Sequence, residues 1–391
     1  MGLKASTVQN RRIKALLALE DGSVFEGWSF TGPAESTGEV VFNTSMTGYQ
    51  EILTDPSYFG QMVAMTYPLI GTYGVNPEDV ESESIKAKAL LVREYQEFPS
   101  NPRSSSTLAD YLRGEGVPGI EGLDTRALTR RIRSAGAMRA ALSTLDLNPA
   151  SLVEKAKASP PMDGLDLVSE VTRTSPALWR CGVMNSLEGG LAGFQWPGCP
   201  EGWRVVAMDY GIKWNILRSL ESRGCTVLVL PAGASAEAIE GLDPHGLFLG
   251  NGPGDPAAVG YAVETVRRQL GRRPVFGICL GHQLIGLALG GDTFKLRFGH
   301  HGGNQPVKDL ATGKVEVTSQ NHGFCVDATS LKDDGVELTH INLNDGTLEG
   351  LRHREMPLFS VQYHPEAAPG PHDAGYLFDR FIDMMKTHWK G

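Results

Sequence analysis

The chain has 391 residues, with 36 Lys or Arg against 45 Asp or Glu, which gives a formal net charge of −9 at pH 7. At roughly 150 residues per domain, this length predicts two domains. The 41% hydrophobic and 21% charged content excludes a disordered or fibrous chain, and the acidic balance argues against nucleic acid as a partner.

The first part of the chain predicts a β-rich domain. An Asp-Gly pair at 21–22 separates apolar runs at 14–20 and 23–28, and such a pair is typical of a tight β-hairpin. Two further apolar runs, at 40–44 and 62–67, predict two more strands.

Two helices and a connector follow. Asp124 is placed to cap a helix that ends before Gly136, and a second helix is predicted over 150–158. The next stretch is rich in Pro, Gly and Ser, and we interpret it as a connector with room for one short strand. The predicted limits are 1–160 for the N-terminal domain, 161–203 for the connector and 204–391 for the second domain.

The second half alternates short apolar strands with helical segments. Strands are predicted at 204–209, 226–230, 246–249 and 274–278, and helices at 213–223 and 261–270. Continuous apolar strands that alternate with helices are typical of a parallel sheet covered on both faces. Functional sites in such sheets lie beyond the carboxyl ends of the strands.

One of these strand ends carries a candidate nucleophile. Residues 277–281 read Gly-Ile-Cys-Leu-Gly, which is the cysteine version of a nucleophile elbow between a strand and a helix. Cys279 would then lie at a helix N-terminus, whose partial positive charge favours a thiolate. The alternative is a buried core cysteine, which is common for a free thiol.

A nucleophilic cysteine needs a base, and His364 is the leading candidate. It follows an apolar run at 359–363, and residues two apart in extended chain point the same way, so Glu366 shares its face. The carboxylate can hold one imidazole nitrogen while the other meets the thiol. His282, three residues after Cys279, is a competing base, but it would project away from the strand ends, which favours packing or hydrogen bonding.

The cysteine pattern and the hydropathy indicate the compartment. Five cysteines, with no C-x-x-C spacing, argue against a disulfide framework or a cysteine-rich zinc site and favour a reducing, cytoplasmic compartment. The longest weakly polar run, 275–291, contains five glycines, a histidine and a glutamine, so we expect no membrane association.

Two further motifs invite comparison with phosphate and metal sites. Gly252-Pro253-Gly254 does not have phosphate-loop spacing, and we interpret it as an ordinary turn or as a turn whose N–H groups face a developing oxyanion. His300 and His301 are adjacent, point apart on regular structure and have no flanking carboxylate cluster. That favours core or hydrogen-bonding roles, so we expect no metal.

In combination, these motifs resemble the class I (triad) glutamine amidotransferases from residue 204 to the C-terminus. Residues 42–58, FNTSMTGYQEILTDPSY, resemble one member only, the small (glutaminase) subunit of carbamoyl phosphate synthetase. The segments 66–68, 124–126 and 298–304 agree with that subunit, so the resemblance spans nearly the whole chain.

The resemblance implies roles for individual residues. Cys279 would attack the side-chain amide carbon of glutamine, and water would later hydrolyse the thioester. His364 would deprotonate the thiol and then protonate the departing ammonia, while Glu366 orients it. The backbone amides of Leu280 and Gly252 would form the oxyanion hole. The two ends of glutamine would be held by Ser57, Gly254, Gln283, Asn321, Gly323 and Phe324.

The resemblance also implies a fold and a partner. The expected fold is α/β, with an N-terminal layered β/β/α domain and a C-terminal flavodoxin-like doubly wound class I glutamine amidotransferase domain. Ser57 belongs to the first domain, so the pocket would lie at the domain junction. A large subunit would receive the ammonia and use ATP, Mg and bicarbonate to make carbamoyl phosphate for arginine and pyrimidine synthesis. This chain would need no cofactor, and its heterodimers would assemble further.

Three other functions stay open. Another amidotransferase would share the second half of the chain but lack the segment 42–58. A cysteine peptidase or a γ-glutamyl hydrolase would use the same triad on peptides. A non-catalytic subunit that senses glutamine would not need the intact triad of Cys279, His364 and Glu366.

Overall fold

The predicted hairpin begins a closed barrel. The computed structural model describes residues 13–197 and 202–390. The strands of its first unit are β1 (Ile13–Leu19), β2 (Val24–Ser29), β3 (Glu35–Asn43), β4 (Gln61–Met65), β5 (Leu69–Ile70), β6 (Ala89–Leu91), β7 (Glu94–Tyr95), β8 (Gly119–Glu121) and β9 (Met138–Ser143). The order around the barrel is β1-β2-β8-β6-β4-β3-β9, while β5 and β7 form a separate parallel pair. Gly22 turns the hairpin with a φ of +93°, a conformation that glycine adopts without strain.

Helices pack against this barrel. They are α1 (Tyr49–Thr54), α2 (Leu108–Gly114), α3 (Thr125–Ala135) and α4 (Pro149–Ala158). Asp124 caps α3 as predicted, since its carboxylate accepts the N–H of Ala127 at 2.9 Å. Apolar residues of α1 and α2 share one core with β3, β4 and β6, and α4 packs against β1 and β9. The predicted β/β/α layers are thus present, with the sheet closed on itself.

The second unit is one long mixed sheet with helices. Its strands are β10 (Ala177–Arg180), β11 (Val183–Ser186), β12 (Trp203–Asp209), β13 (Cys225–Pro231), β14 (Gly246–Leu249), β15 (Val275–Ile278), β16 (Thr293–Asp309), β17 (Val315–Val326), β18 (Val336–Asn342), β19 (Leu348–His353) and β20 (Leu358–Val361). Its helices are α5 (Val168–Val171), α6 (Trp214–Glu221), α7 (Ala236–Leu242), α8 (Gly260–Gln269), α9 (Leu280–Ala288) and α10 (Tyr376–Lys390). In the described ranges, no helix combines the length and the apolar character that crossing a bilayer requires.

The centre of this sheet is parallel, as the alternation of strands and helices predicts. The order is β11-β10-β13-β12-β14-β15-β20-β19-β18-β16-β17, and the run from β13 to β20 is parallel. The carboxyl ends of β14, β15 and β20 therefore lie side by side. They lead into the chain segments that carry Gly252, Cys279 and His364.

The connector contains more regular structure than predicted. Residues 177–186 form the antiparallel pair β10–β11, and β10 joins the large sheet beside β13. Two strands of four residues each, set among Pro and Gly, are too short to give a clear periodicity, although Ala177 and Trp179 alternate inward. The domain limits themselves stay a prediction. Cys199, one of the five cysteines, lies outside the described residues.

The two units are joined by hydrogen bonds at the end of the parallel strands. Asp55, in front of a short 3₁₀ turn at Pro56–Tyr58, lies 3.4 Å from the amide nitrogen of Asn251 and 3.0 Å from that of Asn321. Glu81 accepts the backbone N–H of Asn215 at 2.9 Å. The first unit therefore forms part of the crevice where the sequence places the site.

Glu81 makes this junction sensitive to pH. Burial raises the pKa of this carboxyl to about 7, although Lys213 lowers it. A pKa above the ordinary value of 4.5 means that the folded state holds its proton more tightly, so stability is lost as pH rises through about 7.

We therefore expect Glu81→Gln to flatten the pH dependence of stability between about pH 5 and pH 8, by up to about 3 kcal/mol. Denaturant unfolding of both proteins across that range measures the slope. Glu83→Gln is the matched control, because Glu83 lies two residues away with its side chain 67% exposed. Equal slopes for wild type and Glu81→Gln would contradict this assignment.

Candidate active site

Cys279 lies at the sharp turn between β15 and α9. Its backbone is at φ 54° and ψ −104°, an uncommon conformation for a residue with a side chain, and its N–H donates to Val361 O at 2.9 Å. A Cβ on Gly277 would lie 2.8 Å from the backbone of Gly281, and one on Gly281 would overlap the carbonyl oxygen of Leu249. Only glycines fit on either side of the cysteine, which explains the G-x-C-x-G spacing.

His364 and Glu366 are in direct contact beside this turn. Nδ1 of His364 lies 2.6 Å from the Glu366 carboxylate, so Nε2 is left as the nitrogen that can meet a thiol. Nε2 has no hydrogen-bond partner among the described residues. Burial lowers the pKa of His364, but the Glu366 carboxylate and then the neighbouring Cys279 outweigh it and raise this pKa to about 10. The structure thus brings the three predicted triad residues together.

Lys213 is a fourth charged residue of this group, and the sequence reasoning missed it. Its side chain is 2% exposed, lies 3.1 Å from the Glu366 carboxylate and donates to Ala367 O at 2.5 Å. Burial raises the pKa of Glu366, but Lys213 and then His364 lower it to about 2 overall. Glu366 is therefore held ionised from two sides.

Two backbone amides are free to face the reacting centre. Within the described residues, neither the N–H of Leu280 nor that of Gly252 donates to another protein group. A Cβ on Gly252 would collide with Tyr210 O. Only a glycine at this position lets the turn lie so close to the backbone of Tyr210. Free N–H groups at a helix N-terminus and at a tight turn are the donors that an oxyanion hole requires.

A narrow cavity lies at the junction of the two units. Among the predicted glutamine-binding and oxyanion residues, those lining it are Ser57, Gly252, Gly254, Asn321, Gly323 and Phe324. Leu280 and Gln283 do not line it, although Gln283 donates to Phe324 O at 2.8 Å. The other lining residues are Glu39, Gln61, Met162, Pro253, His301 and His322. Of these, no motif had pointed to Glu39, Gln61 or Met162.

Asn321 is held by its side chain and contacts Cys279 through its backbone. Its amide nitrogen donates to Asp55 at 3.0 Å, and its amide oxygen lies 2.9 Å from Nδ1 of His301. Its carbonyl oxygen accepts from Sγ of Cys279 at 3.7 Å. Asn321 therefore connects Asp55 of the first unit with Cys279.

The remaining histidines divide into packed and clustered residues. His282 is fully buried and its Nδ1 lies 2.8 Å from Ser360 Oγ, away from Cys279, as expected. His300 is buried and hydrogen-bonded, as expected: Asp345 lies 2.9 Å from its Nε2, and Glu349 lies 3.6 Å from its Nδ1. These carboxylates do not flank it in the sequence, because both come from a hairpin more than 40 residues further along the chain.

Comparison with known proteins bears on this arrangement. The family model for glutamine amidotransferase class-I matches residues 206–384, and the model for the carbamoyl-phosphate synthase small chain, CPSase domain, matches 17–142. The carbamoyl phosphate synthase small chain of Syntrophotalea carbinolica is 57% identical over 96% of this chain and 99% of its own length.

Two further relatives carry the same description. The protein of Solidesulfovibrio magneticus is 54% identical over 96% of this chain and 99% of its own length. That of Rhodopirellula baltica is 55% identical over 95% of this chain and 96% of its own length. In each relative, the similarity covers at least 95% of this chain and therefore includes both units. The chain belongs to the family of carbamoyl phosphate synthase small chains.

Proposed function

We propose that this chain is the glutaminase subunit of a carbamoyl phosphate synthetase, hydrolysing L-glutamine to glutamate and ammonia. The observation that carries the proposal is the 2.6 Å contact of His364 with Glu366 beside the strained turn of Cys279. Together with family membership, a nucleophile, a base and an orienting acid support acyl transfer through a cysteine thioester.

The proposed reaction has two halves. Nε2 of His364 takes the thiol proton and holds it, in keeping with the raised pKa of this ring, and Sγ of Cys279 attacks the side-chain amide carbon of glutamine as the thiolate. The tetrahedral oxyanion is held by the N–H groups of Leu280 and Gly252, and His364 returns the proton to the departing ammonia. Water then attacks the thioester, with His364 again as base, and glutamate leaves.

The ammonia is proposed to pass to a large subunit. That subunit would use ATP, Mg and bicarbonate to form carbamoyl phosphate, while this chain needs no cofactor for hydrolysis. Free ammonia is protonated in bulk water and loses its nucleophilicity, so an enclosed route between the subunits is part of the proposal. A cytoplasmic location and a higher assembly of heterodimers complete it.

Covalent labelling of the complex with its large subunit tests this proposal. A glutamine analogue with an electrophilic diazoketone in place of the amide should place one adduct per chain on Cys279, and excess glutamine should slow the reaction. Glutamine-dependent carbamoyl phosphate synthesis should fall in step with labelling, while synthesis from added ammonium persists.

Cys181 provides the control for this experiment, because it is an exposed free cysteine in the turn between β10 and β11. Alkylation of Cys181 with a small reagent should leave both activities unchanged. Adducts on Cys181 alone, or labelling that glutamine does not slow, would rule out a glutamine site at Cys279.

A further inference from the structure

A second cluster of ligating side chains lies outside the triad. It consists of His300 on β16, His322 on β17 and Glu349 on β19, and one ligand atom from each lies within 4.8 Å of the others. The three residues are 6%, 5% and 0% exposed. Buried groups of this kind need a compensating partner, so their surroundings decide what the cluster can hold.

Both histidines have their outward nitrogen fixed by an acceptor. Nε2 of His300 lies 2.9 Å from the Asp345 carboxylate, and Nδ1 of His322 lies 2.8 Å from Phe324 O. A carboxylate and a carbonyl only accept, so these two nitrogens carry the protons. The nitrogens that face the interior of the cluster are then Nδ1 of His300, 3.5 Å from the amide nitrogen of Asn342, and Nε2 of His322. Each can bind a metal ion through a lone pair when its ring carries no second proton. Such outer acceptors are the usual second support of metal-bound histidines.

The interior of the cluster contains more hydrogen-bond acceptors than hydrogen-bond donors. Oε1 of Glu349 accepts from the amide nitrogens of Gln320 and Asn342, each at 2.9 Å, but Oε2 has no partner among the described residues. The amide oxygen of Gln320 lies 3.0 Å from Nε2 of His322, so two lone pairs face each other. If the Gln320 amide is rotated by 180°, its nitrogen faces His322, but its oxygen then faces the Glu349 carboxylate, so two acceptors are again in contact. A cation between His322, Gln320 and Glu349 would relieve this repulsion in either orientation of the amide.

We propose that His300, His322 and Glu349 bind one divalent transition-metal ion, with Zn²⁺ the best match. Two imidazoles and a carboxylate are a preferred ligand set for Zn²⁺. The ring centroids of His300 and His322 are 5.0 Å apart at an angle of 88°, and Nδ1 of His300 is 3.6 Å from Glu349. Ligand atoms of a tetrahedral zinc lie roughly 3.3 Å apart, so small side-chain shifts close the site.

The ion would be structural. His322 lies between Asn321 and Gly323, which line the cavity at the domain junction, and its Nδ1 contacts the carbonyl of Phe324. A metal ion bound by His322, His300 on β16 and Glu349 on β19 would hold the segment 321–324 of the cavity lining in place. The proposal replaces the expectation that the chain holds no metal.

Metal content of the full chain tests the proposal. A Cys279→Ser background is needed, because the thiol and His364 would themselves bind Zn²⁺. After removal of any affinity tag and dialysis against Zn²⁺, we expect about one ion per chain. Substitution with Co²⁺ should give the visible absorption of a tetrahedral site, and Zn²⁺ should raise the thermal midpoint.

Variants of the ligands locate the ion. His300→Gln and Glu349→Gln in the same background should lower the bound metal at least tenfold and abolish the Co²⁺ bands. His372→Gln, at an exposed histidine outside the cluster, should leave both unchanged.

Two results would overturn the proposal. One is the lack of tetrahedral Co²⁺ bands in the parent protein, which would mean that a proton bridges His300, Asp345 and Glu349 instead. The other is an unchanged metal content in Glu349→Gln, which keeps nearly the same shape as glutamate. The first result needs no ligand variant, so a folding failure of His300→Gln does not affect it.

Discussion

Replacing Cys279 with serine is expected to lower glutamine hydrolysis by about 10⁴-fold or more, while carbamoyl phosphate synthesis from added ammonium continues in the complex. Serine fits the same volume, so the turn between Gly277 and Gly281 is retained. Its hydroxyl has a far higher intrinsic pKa than a thiol, and the His364 base alone does not make it an equal nucleophile. Product formation from glutamine and from ammonium, measured side by side, gives both numbers.

The outcome of this substitution shows whether Cys279 acts in glutamine hydrolysis or in the assembly of the complex. Loss of both activities would mean that Cys279 supports the complex as a whole, and the proposed division of labour would then be rejected. Cys181→Ser, at the exposed cysteine, should leave both rates at the wild-type level.

Replacing Glu366 with glutamine is expected to reduce glutamine hydrolysis by about 10³-fold or more. An amide cannot stabilise an imidazolium at His364, and it no longer dictates which ring nitrogen carries the proton. The same change also leaves Lys213, 2% exposed, without its closest carboxylate at 3.1 Å. Removing one partner of a buried pair costs about 3–5 kcal/mol, so the free energy of unfolding should fall as well.

A second substitution separates these two effects. Lys213→Met in the Glu366→Gln protein removes the unpaired ammonium, and we expect it to restore much of the lost stability without restoring hydrolysis. Denaturant unfolding and single-turnover hydrolysis measure the two quantities. If the double variant recovered activity together with stability, Glu366 would act only by holding the fold.

The nucleophile and its base could be predicted because the chemistry fixes their local spacing. Gly277 and Gly281 must flank Cys279 for steric reasons. His364 and Glu366 lie two residues apart in the turn that follows β20. Such constraints are visible within a few residues of sequence. The strands and helices of the parallel sheet were predicted for the same reason, since each shows its own apolar run.

The features that sequence reasoning missed depend on distant segments. Lys213 lies about 150 residues before Glu366 in the sequence, directly before α6 and outside any recognisable motif. Only folding brings the two side chains together. The carboxylates beside His300 come from a hairpin that pairs next to β16. The connector strands gain their order from pairing with β13 rather than from their own composition.

Asp55 contacts two asparagines of the second unit, and this has a mechanical consequence. One carboxylate from the barrel lies 3.4 Å from Asn251 and 3.0 Å from Asn321, and Asn321 in turn accepts from the reactive sulfur. Hydrogen bonds of this length weaken steeply with displacement. A sliding motion of one unit against the other by about an ångström would therefore displace Asn321 and, with it, the carbonyl oxygen that contacts Sγ of Cys279.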